Sequence, residues 1–297
     1  MSLPPFLDLP EAAAEMADCL LLPLPYEATV SYGGGTARAP AAIWRASCQV
    51  EVWDEEIGFD LGRLRYHTAD AVVPVAGETP PAYLARVEVA ARTLHPHRGL
   101  VVGVGGEHGL TPALVAAARP GGLVGVTVVQ LDAHADLRAT YGGWAESHAC
   151  AMHRLVEAGA EVVAIGIRSA SAEEAAYGRA CGRVTTYGAQ ELAEEAGVEA
   201  RLLDHLGSLT GAVYLTLDID GLEVHLCPAT GTPQPGGLGW WQTLRYLRRL
   251  LVNNRAIHLL GADLVETVPA AGGAVNEMVA ARLLAKVIAY HGAAREQ

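Results

Sequence analysis

No stretch of this sequence is apolar for long enough to span a bilayer, so a membrane protein is not expected. No Cys-x-x-Cys pair occurs, and the five cysteines (Cys19, Cys48, Cys150, Cys181 and Cys227) are odd in number and scattered. That pattern excludes a disulfide frame and a thiolate metal site, and it suits free thiols in a reducing compartment. Positive charge is scarce: 21 Lys and Arg stand against 33 Asp and Glu, a formal net charge of −12. A nucleic-acid surface needs clustered basic residues and is excluded on that ground, whereas a cationic ligand would be attracted. Linkers are missing too. There is no Ser/Gly tract, low-complexity segment, charge block or internal repeat, so residues 1–297 read as one domain. Met1 to Pro5 carries neither a basic start nor a long apolar run, so no secretory leader is expected, and the expectation is a soluble cytoplasmic protein. The glycine triplet Gly33 to Gly35 lacks the Lys-Ser/Thr of a phosphate-binding loop.

What is present is apolar and periodic. Hydrophobic residues make up 51% of the chain, ample for a large core, and strand-like runs alternate with helical ones throughout. The pattern predicts an α/β fold. A short helix is expected around Glu11 to Met16, and a first core strand from Cys19 towards Tyr26 that proline ends. Helices are expected over Thr36 to Ser47 with Pro40 in the first turn, and over Thr79 to Leu94 with Thr79 as cap. Residues 48–66 alternate acidic and apolar positions and read as a solvated edge hairpin. Residues 189–209 read as one amphipathic helix with a solvated acidic face. Trp240 to Leu251 and Asn276 to His291 read as the last two helices, and His95 and His97 as groups facing water or a helix end.

Three apolar strands end in groups that bind metals. Leu123 to Val129 leads into Asp132-Ala133-His134-Ala135-Asp136, whose polar side chains share one face if the chain stays extended. Tyr214 to Leu217 ends in Asp218-Ile219-Asp220, and Leu100 to Val104 in Gly105-Gly106-Glu107-His108. In open α/β sheets ligands bind beyond the carboxyl ends of the strands. Four carboxylates and two imidazoles exceed the needs of one ion. A carboxylate-rich set with some imidazole suits Mn²⁺, and two close ions would use it fully.

Gly-Gly-Glu-His, Asp-Ala-His-Ala-Asp and Asp-Ile-Asp, in this order, resemble the ureohydrolase family of arginases and agmatinases over nearly the whole chain. The resemblance implies a three-layer arginase-type fold with a central, mainly parallel sheet flanked by helices. It also implies two Mn²⁺ ions and release of urea from a guanidino group. One ion would be held by His108, Asp132, Asp136 and Asp218, the other by His134, Asp132, Asp218 and Asp220. Asp136 would take the proton left on the tetrahedral intermediate. His148, in Ser147-His148-Ala149-Cys150, matches the family's proton shuttle, with Ser147 expected as a helix cap. Glu266, in Val265-Glu266-Thr267-Val268-Pro269, matches the residue that holds the guanidinium. Thr232 lies in the intact Thr-Gly-Thr-Pro. Ser169 and Ser171 stand where arginases carry two aspartates that bind an amino-acid end. With Pro25 to Tyr32, which resembles agmatinases, they favour agmatine over arginine, though Gly166 to Ser171 also reads as an ordinary loop with helix caps. A small cationic guanidino substrate, no nucleic-acid or membrane partner and a homo-oligomer (trimer or hexamer) are expected.

The chain departs from the family at Gly109, often Ser; at Glu223-Val224, usually Asp-Pro; and at Ala270 to Gly273, where an acid is missing. Arginase and guanidino-acid hydrolase activities remain as alternatives within the class. A one-zinc deacetylase would use fewer carboxylates, and a catalytically altered binding relative is the rival from another class.

Overall fold

Apolar strands separated by helical stretches bury both faces when helices cover a parallel sheet on each side. The computed structural model, which describes residues 3–95, 99–269 and 273–296, has that arrangement. Its strands are β1 (Cys19–Leu24), β2 (Trp53–Asp54), β3 (Phe59–Asp60), β4 (Tyr66–Thr68), β5 (Leu100–Gly105), β6 (Val126–Leu131), β7 (Glu161–Ile167), β8 (Val184–Gly188), β9 (Gly211–Asp218) and β10 (Ile257–Val265). Its helices are α1 (Ala39–Ser47), α2 (Pro80–Leu94), α3 (Thr111–Ala118), α4 (Ala151–Glu157), α5 (Ala172–Cys181), α6 (Ala189–Glu194), α7 (Val198–Ser208), α8 (Trp240–Leu251) and α9 (Val275–Glu296). Eight strands form one sheet in the order β4-β1-β5-β10-β9-β6-β7-β8, with every neighbouring pair parallel. The antiparallel β2-β3 pair stands apart.

Side-chain alternation sorts the core into two layers. Leu21, Val102, Val104 and Val129 point to one face and pack with Trp44 of α1, Leu202 of α7, Leu247 of α8 and Leu284 of α9. Their neighbours Leu20, Leu22, Val101 and Val128 point to the other face, against Tyr83 and Val87 of α2, Leu114 of α3 and Leu155 of α4. Each such side chain, fully buried, contributes about 1.5–3 kcal/mol of transfer free energy. The three-layer arrangement is therefore the expected one. No helix among the described residues is long and apolar enough to cross a membrane.

Several local expectations need correction. The strand expected from Leu123 begins at Val126, and the helix expected around Glu11 is one 3-10 turn, Ala14–Met16. Thr79 precedes α2, but its side chain makes no capping bond. Residues 189–209 are two helices, because Gly197 takes a left-handed φ of 85° between them. Residues 48–66 hold a hairpin that is solvated only in part: Glu51 and Glu55 are exposed as expected, whereas other acids turn inward. Asp54 is fully buried, its Oδ2 2.9 Å from Nζ of the equally buried Lys286 on α9, and Glu56 stands 3.1 Å from the same ammonium. A lysine facing inward from a packed helix needs such partners, so the acidic hairpin is drawn into the fold. The three arginines of α8 are engaged as well: Arg245 pairs with Glu199, Arg248 with Glu56, and Arg249 donates to the Leu203 carbonyl.

Candidate metal centre

β5, β10, β9 and β6 are neighbours in the sheet, and the segments that leave their carboxyl ends meet over its edge. His108 opens the 3-10 turn that follows β5, and Asp132, His134 and Asp136 lie in the loop after β6. Asp218 is the last residue of β9, Asp220 sits in the 3-10 turn Ile219–Gly221, and Glu266 directly follows β10. His108 Nδ1 lies 3.1 Å from Asp132, 3.0 Å from Asp136 and 3.3 Å from Asp218. His134 Nδ1 lies 3.0 Å from Asp220 and 3.7 Å from Asp132. Two groups thus present ligand atoms within 4.8 Å of one another: His108, Asp132 and Asp136, and Asp132, His134 and Asp220. Asp132 belongs to both.

The reason for the convergence differs from the one read in the sequence. The extended chain stops at Leu131, and Asp136 has a left-handed φ of 52°, so strand alternation does not aim these side chains. Local hydrogen bonds do. The Gln130 amide donates to Asp132 Oδ2 at 2.7 Å and to the His134 carbonyl at 3.1 Å. The His134 N–H donates to Asp132 Oδ1 at 2.6 Å, the Ala133 N–H to Asp220 at 3.1 Å, and the Asp220 N–H to Asp218 at 2.9 Å. Glu266 shares the left-handed backbone, with φ 61°. Non-glycine residues held there store strain, and two of the four such residues described are in this site.

The imidazole of His108 is set from behind. Thr216 Oγ1 donates to Asp263 at 2.6 Å, so it accepts from His108 Nε2 at 2.9 Å. That leaves Nδ1 aimed into the site, buried, without a hydrogen-bond partner and ringed by three carboxylates. That donor set fits a hard divalent cation: cis ligands of an octahedron with bonds of about 2.1 Å stand about 3 Å apart. Electrostatics agree. Burial and the Asp136 charge push Asp132 up to about 7, and burial with Asp220 and Asp132 raises Asp218. For His134 burial favours the neutral ring, but Asp220, Asp132 and Asp136 outweigh it and lift the pKa to about 9. His108 rises for the same reason. The cluster attracts positive charge.

A cavity of about 220 Å³ opens over these ligands. His148, Glu266, Thr232 and Ser169 line it, together with Ser31, Arg138, Tyr141 and Gln234. Ser171 does not. Its hydroxyl accepts from the Glu174 N–H and Glu174 accepts from the Ser171 N–H, a reciprocal cap at the start of α5 that turns the serine towards a neighbouring pocket. Ser147 stands at the N-terminus of the His148–Cys150 turn without a capping bond, its Oγ 3.4 Å from His148 Nδ1. Glu266 accepts the His108 N–H at 2.7 Å, and burial followed by the Glu107 charge raises its pKa well above the usual range. Burial lowers that of His148, against the pull of Asp136.

Gly109 departs from the family for a visible reason: a Cβ there would meet the Glu146 carbonyl at 2.7 Å, so glycine lets the 146–148 segment close in. At Val224 the N–H that proline would lack is taken up by the neighbouring Glu223 carboxylate at 3.2 Å. His225 is exposed, and Cys227 is a buried thiol whose pKa is raised by burial. His97 and the substituted positions 270–272 lie outside the described residues.

Sequence reading missed the supporting layer: Gln130, Thr216, Asp263, and Arg168, whose guanidinium donates to the Asp220, Gln234, Pro235 and Gly166 carbonyls and ties two site loops together. The signal for Thr216 was its place two residues before Asp218, on the same strand face. A larger cavity, about 450 Å³, lies at the opposite end of the sheet and is lined, among the described residues, by His95, His258, His291, Arg255 and Arg295 and by no carboxylate. Its chemistry does not suit a cation, so size is a poor guide here.

Residues 17–290 match the model of the Arginase family. The N(1)-aminopropylagmatine ureohydrolase of Synechocystis sp. is 36% identical over 292 residues, covering 95% of this chain and 92% of that protein. The agmatinase of Pyrococcus horikoshii is 31% identical over 283 residues, covering 95% of each chain. The solved structure of the agmatine ureohydrolase of Thermoplasma volcanium superposes with a TM-score of 0.82 at 26% identity, covering 96% of this chain and 93% of that one.

Proposed function

The chain belongs to the arginase family, and from that membership we propose a ureohydrolase that converts agmatine to putrescine and urea at a pair of Mn²⁺ ions. The observation that carries the reading is the shared carboxylate of Asp132 between two ligand groups, with His148 and Glu266 lining the cavity above them. His108, Asp132, Asp136 and Asp218 would hold one ion, and His134, Asp132, Asp218 and Asp220 the other. Such a pair would supply a nucleophile at neutral pH, because coordination lowers the pKa of a bound water to about 7.

The protein's own groups do the rest. Glu266 accepts hydrogen bonds from the planar guanidinium, and its burial makes that charge pairing strong. Asp136 accepts the proton released as the carbon becomes tetrahedral. His148 hands a proton to the departing amine, and a pKa held below the usual histidine value keeps its ring able to collect that proton first. Ser169 and Thr232 offer hydroxyls to the tail. Where arginases carry aspartates, Ser169 leaves no carboxylate for an α-ammonium. The charge of Arg138 at the mouth is met by Glu174 at 3.6 Å and by the Tyr141 ring at 5.1 Å, so it does not bar a cationic tail.

A second reading keeps the chemistry and lengthens the tail. Relatives in Synechocystis and Thermus thermophilus are named for aminopropylagmatine, and Tyr141, partly exposed and lining the cavity, offers a ring to a longer polyamine. We further expect a cytoplasmic homo-oligomer, trimer or hexamer, built from a single domain. Light scattering that finds only monomer would remove the assembly from this proposal. Urea release by the Mn²⁺-loaded protein should be measured with agmatine, aminopropylagmatine, arginine and 4-guanidinobutyrate side by side, with metal content per chain. Preference for agmatine supports the first reading and preference for its aminopropyl derivative the second. Arginine as the best substrate would overturn the tail argument, and no urea from any of them with two ions bound would overturn both.

A further inference from the structure

Thr29 lies in the loop after β1, far from any ligand in sequence, yet its hydroxyl has three polar neighbours. It stands 2.8 Å from Glu107 Oε1, 3.0 Å from the backbone nitrogen of His148 and 3.2 Å from His148 Nδ1. A hydroxyl has one proton to give and two lone pairs to receive. Burial raises the Glu107 pKa to about 7; above that pH, with two backbone N–H groups already on its other oxygen, it is a carboxylate that can only accept, while the backbone N–H can only donate. The hydroxyl proton therefore goes to Glu107, one lone pair takes the His148 N–H, and the remaining lone pair faces the ring. With Ser147 Oγ, a second acceptor, 3.4 Å from the same atom, Nδ1 carries the hydrogen.

Glu107 is fixed in turn. It is fully buried, and its second oxygen accepts the N–H groups of Ala28 at 3.1 Å and Thr29 at 2.7 Å. The Glu107 N–H donates to the Tyr26 carbonyl at 3.1 Å, which pins the same loop from the other side. Glu27 anchors the loop's far end by accepting the N–H groups of Gly35 at 2.7 Å and Ala37 at 3.0 Å. Nothing in the chain Glu107–Thr29–His148 is free to rotate without breaking a bond that burial makes costly to lose.

We infer that Thr29 and Glu107 are positioning residues that hold neutral His148 in its Nδ1–H tautomer, so that the bare Nε2 faces the reaction cavity. Ser31 Oγ, at 3.5 Å from Nε2, marks that side of the ring as the cavity side. The consequence for turnover rests on the proposed function: an imidazole that relays a proton to a leaving amine must first accept it on the nitrogen that faces the substrate. The opposite tautomer, with hydrogen on Nε2, could donate only after losing its place in the network.

The test reads the tautomer directly. Metal-free protein labelled with ¹⁵N-histidine, in solution or as microcrystals, is compared with the His148→Asn variant to assign the His148 signals. At pH 8.5, where Glu107 is ionised, the Nδ1 signal should be of the protonated type and Nε2 of the unprotonated type. Thr29→Val removes the hydroxyl at nearly constant shape. It should move the balance towards Nε2–H and lower kcat by roughly tenfold or more with KM little changed, whereas Thr29→Ser restores both. A hydrogen on Nε2 in the parent protein, or a Thr29→Val spectrum identical to the parent's, overturns the inference. Should Thr29→Val not fold, the parent and Thr29→Ser spectra decide alone. If the spectra are as expected and no guanidino compound is turned over, the tautomer assignment stands and the proposed function fails.

Discussion

Replacing Gly106 by alanine places one methyl group at a crowded point behind the candidate metal centre. An added Cβ would lie 1.9 Å from the Tyr26 carbonyl oxygen and 2.8 Å from the Tyr26 carbonyl carbon and nitrogen. All three are backbone atoms, so no rotamer relieves the contact. Ordinary contact begins at 3.4 Å, so the strand ends must separate by roughly 1.5 Å. Three bonds cross this point: Gly106 N–H to Leu24 O at 3.1 Å, Glu107 N–H to Tyr26 O at 3.1 Å, and Glu266 N–H to Gly106 O at 2.8 Å. On one side of the gap stand Glu107 and His108, and on the other Thr29. Overpacking a rigid site costs about 1–3 kcal/mol. A displacement of about 1 Å at reacting groups costs about 100-fold in rate. Gly106→Ala should therefore lower kcat/KM for urea release by about 100-fold or more and lower Tm, with metal per chain measured alongside. Gly239→Ala is the control: nothing lies within 4 Å of its Cβ and φ is −69°, so its cost should stay below about 1 kcal/mol. A Gly106→Ala protein with parental kcat/KM, metal content and Tm would refute the packing argument.

Three further outcomes are expected. Because the ligands must be deprotonated to coordinate, and Asp132 titrates near 7 and His134 near 9, protons compete with the ion; the dissociation constant for Mn²⁺ should rise about tenfold or more per pH unit below pH 7, and isothermal titration showing a flat profile from pH 6 to 9 would contradict this. Lys286→Met leaves Asp54 and Glu56 without their shared cation and should cost about 3–5 kcal/mol in urea unfolding; adding Asp54→Asn should recover a large part, and an additive double variant would contradict the pairing. Burial, with Arg295 and His258 nearby, holds His291 at a pKa of about 4. The unfolded chain takes up this proton near pH 6.5 and the folded one only near 4. Stability is thus intact above 6.5 and falls by up to about 3 kcal/mol as pH drops to 4. The His291→Gln variant should show a flatter acid limb in pH-dependent thermal unfolding.

Much of the fold and of the convergence of the candidate site was legible in the sequence, for a physical reason: strand ends carry their own candidate ligands. His108, Asp132, Asp218 and Asp220 adjoin apolar runs whose length and β-branched content mark them as strands, and the sheet brings those ends together whatever the loops do. Details set by contacts distant in sequence were not legible. Nothing in Asp54-Glu55-Glu56 announces that Lys286, more than two hundred residues on, draws the hairpin inward. Ser171 reads equally as a site residue or a helix cap until Glu174 is seen to answer it. The loop after Leu131 looks extended in one dimension, and only the Gln130 and Asp220 bonds show how it is aimed without being a strand. Thr216 and Asp263 sit in ordinary apolar strands and gain meaning only beside His108.

The sheet order has a consequence for how the molecule is made. β10 is the last strand of the chain yet lies fourth in the sheet, between β5 and β9. Before it enters, β4-β1-β5 and β9-β6-β7-β8 are two half-sheets, each with an open edge. His108 belongs to the first, and the five candidate aspartate and histidine ligands that follow it belong to the second. Such distant pairings close slowly, because chain entropy must be lost before the contacts form. During synthesis the halves can mature in turn, but the ligand cluster exists only after residues 257–265 have emerged and wedged between them. Ion capture by a refolding chain is therefore a clock for the joining of the halves, and it should lag behind the recovery of helix content.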